Sequence, residues 1–299
     1  MFRIINELII MSGADMKMNY KLKKSLFFSI LASVFILNGC ASQTSKADNL
    51  CKAIENGNTK EALELAEKIN DSDVPRAKSP FLMSILSQGE YDTESPLIVA
   101  CKEGNLEVME YLLENGADSN YSPYGSMYPL EAYCECGYGA GVEGVELLLE
   151  YGAEPDYAIT QLTPLFSMST SLIYCDANGE TYNTMLEMID CLISNGAEVK
   201  TYDNDTTVMH SAALQPKRDY FDILWKYPEC RALINHKTND GETPLMYLAR
   251  KSNLDMFKMF IEYGANIYDV NDAGKTVLDY AKENKDEAIL NYIQENFDL

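Results

Sequence analysis

The chain has 299 residues, 24 of them Lys or Arg against 46 Asp or Glu, for a formal net charge of −22. Affinity for nucleic acid comes mainly from Lys and Arg on phosphates, so this balance excludes a nucleic-acid binder and opposes contact with anionic lipid head groups. With two histidines, and no His-Glu-x-x-His, Gly-x-Ser-x-Gly or Walker sequence, no catalytic centre and no cofactor are expected.

Lys17, Lys21, Lys23 and Lys24 precede an apolar run of 13 residues, Ser25 to Leu37. A bilayer-spanning helix needs about 20 apolar residues, so this pattern reads as a secretory signal rather than a membrane anchor. Residues 1–15 lie ahead of the basic region and read as an upstream extension, with translation expected to start at Met16 or Met18. Leu37-Asn38-Gly39-Cys40 resembles a bacterial lipobox, although Asn38 departs from the usual residue at its position. The resemblance implies that residues 16–39 are a lipoprotein signal peptide and that Cys40 carries the lipid. Residues 40–48 would then be the lipidated cysteine and its tether, with the protein held to a membrane through lipid alone. Ala41 is not Asp, which in lipoproteins of two-membrane bacteria implies the outer membrane, facing the periplasm. Residues 1–39 contain five basic and two acidic side chains, so the rest keeps 19 basic and 44 acidic ones, a net of −25. Such a field steers a basic partner, most strongly at low salt.

Seven cysteines remain after Cys40, an odd number without a regular disulfide framework. Cys101 and Cys134 occupy equivalent small-residue positions and are expected to be buried packing residues. Cys134-x-Cys136 lacks a second Cys or His pair at zinc spacing, so no metal site is expected.

Along the rest of the chain one short pattern recurs. A divergent first helical pair (Leu50, Ala53, Ile54; then Ala62, Leu63, Leu65, Ala66) turns at Gly57-Asn58 and reads as an N-terminal cap. An insertion from Val74 to Thr93 follows. Ser95-Pro96-Leu97 opens the next unit, and Glu114-Asn115-Gly116-Ala117-Asp118 closes it. Tyr128-Pro129-Leu130 leads to Gly152-Ala153, Thr163-Pro164-Leu165 to Gly196-Ala197, and Thr243-Pro244-Leu245 to Gly264-Ala265. Thr207-Val208-Met209-His210 and Thr276-Val277-Leu278 open two more units. Pro96 to Pro129 is 33 residues, as is Pro244 to Val277. The Pro129 unit has a glycine-rich turn, and the Pro164 unit holds 12 extra residues around Leu172 to Asn183. Ala288, Ile289, Leu290 and Ile293 form the apolar face of a C-terminal cap.

This period with Thr-Pro-Leu openings resembles the ankyrin repeat. The resemblance spans about residues 49–299 and implies an all-α solenoid of stacked helix-turn-helix units with short β-hairpin-like fingers. It implies about six to seven repeats, a local hydrogen-bonding role for His210, and His236 in a finger. In such proteins the partner contacts the fingers and the exposed side of the first helices. The candidate binding residues are therefore Tyr121, Tyr124, Tyr157, Tyr202, Asp203, Asp205 and Tyr268, since tyrosine covers apolar and polar contacts together. The expected role is protein–protein interaction by a monomer with a basic protein partner. Its sharpest form is an immunity-type inhibitor of a basic toxin. A periplasmic scaffold for a resident envelope protein is the alternative, and a hydrolase using surface carboxylates is a third reading.

Overall fold

The computed structural model describes residues 45–69, 94–123, 126–159, 162–199 and 201–298. The signal region, Cys40, Tyr124 and the Val74–Thr93 insertion lie outside the described residues.

Seven helical pairs follow one another among the described residues. They are α1 (residues 45–55) with α2 (Thr59–Ala66), and α3 (Pro96–Lys102) with α4 (Leu106–Glu114). Next come α5 (Pro129–Ala132) with α6 (Glu143–Glu150), and α7 (Pro164–Ser171) with α8 (Glu180–Ser194). The fifth pair is α9 (Val208–Ala213) with α10 (Asp219–Leu224), trailed by the short α11 (Pro228–Arg231). The last two are α12 (Pro244–Lys251) with α13 (Leu254–Glu262), and α14 (Val277–Asn284) with α15 (Glu287–Asn296).

The pairs stack into two layers. First helices form an inner row, with α3 against α5, α7 against α9, and α12 between α9 and α14. Second helices form an outer row running α2, α4, α6, α8, α10, and later α13 with α15. The core is one continuous apolar cluster between the rows, from Leu50 to Ile293. In the outer row Phe221 of α10 stacks on Trp225 (5.1 Å between centroids) and meets Phe260 and Tyr263 of the next pair at 4.8 and 5.2 Å.

Local chemistry explains why each unit breaks where it does. Pro96, Pro129, Pro164, Pro228 and Pro244 take the first helical position, where a missing N–H leaves nothing unsatisfied. Asn58, Asn105, Asn253 and Asp286 cap second helices by accepting first-turn backbone N–H groups. At the unit ends Gly116, Gly152, Gly196 and Gly264 sit at φ of +90, +83, +92 and +100°, the left-handed region that glycine enters without penalty. The alanine after each donates back into the helix, Ala117 to the Leu112 carbonyl at 3.0 Å and Ala265 to that of Phe260 at 2.9 Å. These are helix-terminating turns of the Schellman type, and the alanines are buried.

Lys285 occupies the same left-handed conformation at φ +57° between α14 and α15. A side chain there is strained, so Lys285→Gly is expected to raise stability by about 1 kcal/mol, less the entropy glycine adds to the unfolded chain. Chemical denaturation checks this; an unchanged or lowered midpoint would contradict it.

Three expectations change on contact with the structure. Residues 45–48 were expected in a tether, but residues 45–55 are helical and Ala47 is fully buried, so 45–48 belong to the first helical pair. The Pro164 insertion is not simply a loop, because α8 runs 15 residues against nine in α4 and buries Tyr182, Met185 and Met188. The extra chain therefore lengthens a helix as well as a connection. The fingers carry no strand among the described residues. Those at Tyr202–Thr206, Thr238–Glu242 and Asn271–Lys275 are closed by a backbone bond between their ends, at 2.9, 2.9 and 3.0 Å.

The glycine-rich turn of the Pro129 unit is a loosened connection, as expected. A π-helical turn (Tyr133–Gly137) and a 3-10 turn (Tyr138–Ala140) take up its extra residues. Tyr133 is buried there and donates its hydroxyl to the Gly141 carbonyl at 2.8 Å. A Cβ on Gly144 would lie 2.1 Å from the Tyr133 ring, so only glycine fits.

Candidate functional site

Three fingers are held by the repeat before them, through the fourth residue of that repeat's opening. In Tyr128-Pro129-Leu130-Glu131, the Glu131 carboxylate accepts the backbone N–H of Tyr128 at 3.1 Å and that of Ile159, in the next finger, at 3.2 Å. Glu131 is buried, and burial pushes its pKa up against those two hydrogen bonds. In Thr163-Pro164-Leu165-Phe166, the Phe166 ring stacks on Tyr202 of the next finger with centroids 3.4 Å apart. In Thr207-Val208-Met209-His210, Nδ1 of His210 accepts the Thr207 N–H at 3.2 Å, and Nε2 faces the Glu242 carbonyl of the next finger at 3.2 Å. Nε2 therefore carries the proton, and burial lowers the His210 pKa to about 4. His210 is structural, as its sequence context implied.

Backbone and side-chain bonds also join finger to finger. Asn239 donates its backbone N–H to the Asn204 carbonyl at 2.9 Å, and Asp272 donates to that of Asp240 at 3.0 Å. Asp205 meets His236 Nε2 at 3.1 Å. The Thr201 hydroxyl, then His236, holds the Asp205 carboxyl below the usual range. Closer to the helices, Asn120 bridges to Gly152 and Glu154, and Asn235 to Gly264 and Asn266. The fingers thus form one connected edge along the stack.

The candidate residues divide on this edge. Tyr157 and Tyr268 are exposed (47 and 56%), with the Tyr157 ring 5.2 Å from Tyr128. Tyr121 is half-buried beside its own turn. Asp205 is partly exposed but engaged by His236, and Asp203 lies in the same short 3-10 turn. Tyr202 must be withdrawn as a contact residue. It is buried, its ring lies on Phe166, and its hydroxyl pairs with Thr163 at 2.7 Å.

Three further exposed residues share this edge. Ile159 and Leu162 are exposed (48 and 41%) in the same finger as Tyr157, and Val270 is exposed beside Tyr268. Their signal was available: they are apolar residues between a Gly-Ala ending and a Thr opening, where a finger needs only polar turn residues. The finger at residues 154–159 and 162–163 therefore offers three exposed apolar side chains on a rigid base. None of the seven described cysteines forms a disulfide. Cys101 and Cys134 are buried as expected, and their thiols are pushed up by burial.

The family model for ankyrin repeats matches three times, over residues 3–159, 177–271 and 226–299. The chain belongs to the ankyrin-repeat family. Ankyrin repeats imply protein–protein interaction, and their fold is typically a non-enzymatic interaction scaffold. Among solved structures, this ankyrin chain resembles a chain in the complex of a predatory endopeptidase from Bdellovibrio bacteriovorus with an immunity protein. The TM-score is 0.54 at 25% identity, over 67% of this chain and 97% of that one. It is 24% identical over 208 residues to an alpha-latrotoxin of Latrodectus geometricus. It is 26% identical over 211 residues to the human transient receptor potential cation channel subfamily A member 1. Both matches cover 69% of this chain, but it spans only 14% and 17% of those relatives' own lengths.

Proposed function

We propose that the protein is an envelope-anchored binder of a basic protein, acting as an immunity-type inhibitor rather than as an enzyme. The observation that carries this is the finger bearing Tyr157, Ile159 and Leu162, exposed together on a chain of net charge −22. Apolar anchors on a preorganised edge supply affinity, and a surrounding field of one sign supplies steering and partner choice. The likeness to a chain of an endopeptidase–immunity protein complex supports an inhibitory role. The lipobox resemblance at Cys40 supports export and anchoring, with the protein acting as a monomer at the outer membrane, facing the periplasm.

The test is affinity capture with the wild-type protein and with Tyr157→Ala/Ile159→Ser/Leu162→Ser, from detergent-solubilised envelopes and from secreted protein of competing cells. One basic protein, retained by the wild type and lost by about tenfold or more in the variant or at high salt, is the expected result. A partner retained equally by both proteins would remove the finger from the reading. A resident partner present without any competitor would replace inhibition by a scaffolding role.

A further inference from the structure

The outer row carries a second surface, on the opposite layer from the first helices. Between α6 and α8 lies a groove of about 570 Å³, lined by Val142, Glu146, Leu149 and Glu150 on one side and by Glu187, Asp190, Cys191, Ser194 and Asn195 on the other. Residues 187, 190, 191, 194 and 195 follow helical spacing, so α8 presents one continuous stripe to the groove. Its volume falls in the range of roughly 300–1,000 Å³ typical of binding clefts.

The floor and rim differ in chemistry. Val142, Leu149 and Cys191 are half-buried and apolar to the touch, while Glu146, Glu150 and Glu187 stand exposed along the edges. Asp190 is neutralised at one end by Lys226 at 2.7 Å and bonded by the Tyr227 hydroxyl at 2.6 Å. The carboxylates of Glu146, Glu150 and Glu187 make no ion pair among the described residues. Beyond Glu150 the acidic edge continues past the exposed Tyr151 to Glu114 and Glu110.

This arrangement selects the shape of its ligand. No group of three or more described His, Cys, Asp or Glu side chains could hold a metal ion. Glu146 and Glu150 lie one turn apart on α6 and face Glu187 of α8 across the groove, an arrangement that suits an elongated polycation. An apolar floor beneath these charges suits a ligand whose charges sit on aliphatic stems, as those of lysine and arginine do. Low-dielectric walls concentrate the field inside such a cleft. We propose that this groove seats a basic amphipathic helix of a protein partner, with cationic heads on Glu146, Glu150 and Glu187 and aliphatic stems on Val142 and Leu149. The surface lies on the outer row, so the inference stands whether or not the fingers bind a partner.

The probe is a fluorescent synthetic helix of about 18 residues, five turns, made of lysine and leucine with the leucines on one face. Anisotropy titrations compare the wild type with Glu146→Gln/Glu150→Gln/Glu187→Gln and with the charge-matched control Glu64→Gln/Glu67→Gln/Glu295→Gln. Saturable binding is expected, weakened about tenfold or more by the groove variant and less than about threefold by the control. A scrambled peptide of identical composition, without an apolar face, is expected to bind about tenfold more weakly. Equal losses in the two variants, equal binding of the scrambled peptide, or no saturable binding would each overturn the proposal.

Discussion

Phe221→Ala is expected to cost about 3–5 kcal/mol, the range for removing a large aromatic from a packed interior. Phe221 is fully buried, and its ring contacts Trp225 in its own unit and Phe260 and Tyr263 in the next. Those contacts join α10 to α13 in the outer row. In a linear repeat protein each unit is stabilised mainly by its neighbours, so one weakened interface affects cooperativity as well as total stability. The variant should therefore unfold in two steps, with the α12–α15 segment separating from the rest. Urea unfolding followed by Trp225 fluorescence and by far-ultraviolet circular dichroism checks this. Coincident single transitions, or a loss below about 1 kcal/mol, would show that the aromatic cluster does not hold the two halves together.

The second large effect concerns pH. His210 is held neutral in the folded protein with a pKa of about 4, lowered first by burial. In the unfolded chain the ring titrates near its ordinary value of about 6.5. Between these values the unfolded state binds a proton that the folded state refuses. The contribution is fully present above about pH 6.5, declines as pH falls, and is lost by about pH 4, an interval worth about 3 kcal/mol. His210→Gln removes the titration while keeping a polar group beside Thr207. It should be less stable at pH 7, where the hydrogen bonds to Thr207 and to the Glu242 carbonyl are disturbed. The gap between the two proteins should narrow by about 3 kcal/mol as the pH approaches 4, measured by denaturant midpoints at each pH. Parallel curves would contradict a buried neutral imidazole.

The repeat boundaries were legible because they rest on local backbone chemistry. Proline at a first helical position and glycine in a left-handed turn act within a few residues of themselves, so Pro96, Gly116, Pro244 and Gly264 could be read in order. The reading of His210 held because its main partner, Thr207, is three residues away. Tyr202 was misread for the opposite reason. Its burial depends on Phe166, a residue of the preceding unit, and nothing near position 202 announces that ring. Glu131 was likewise passed over as one acid among many, because its task depends on the backbone of Ile159 in the following finger. The groove between α6 and α8 depends on two helices that meet only in the stack, so no single window of sequence contains it.

An opening grips the next finger in three successive units. Glu131, Phe166 and His210 reach forward, whereas Met246 and Asp279, at the same position in the last two units, bond to their own Thr243 and Thr276. The finger edge is therefore pinned most tightly through the middle of the stack. Fraying is expected to start outside those three units, at the ends of the stack, where a repeat has a single neighbour.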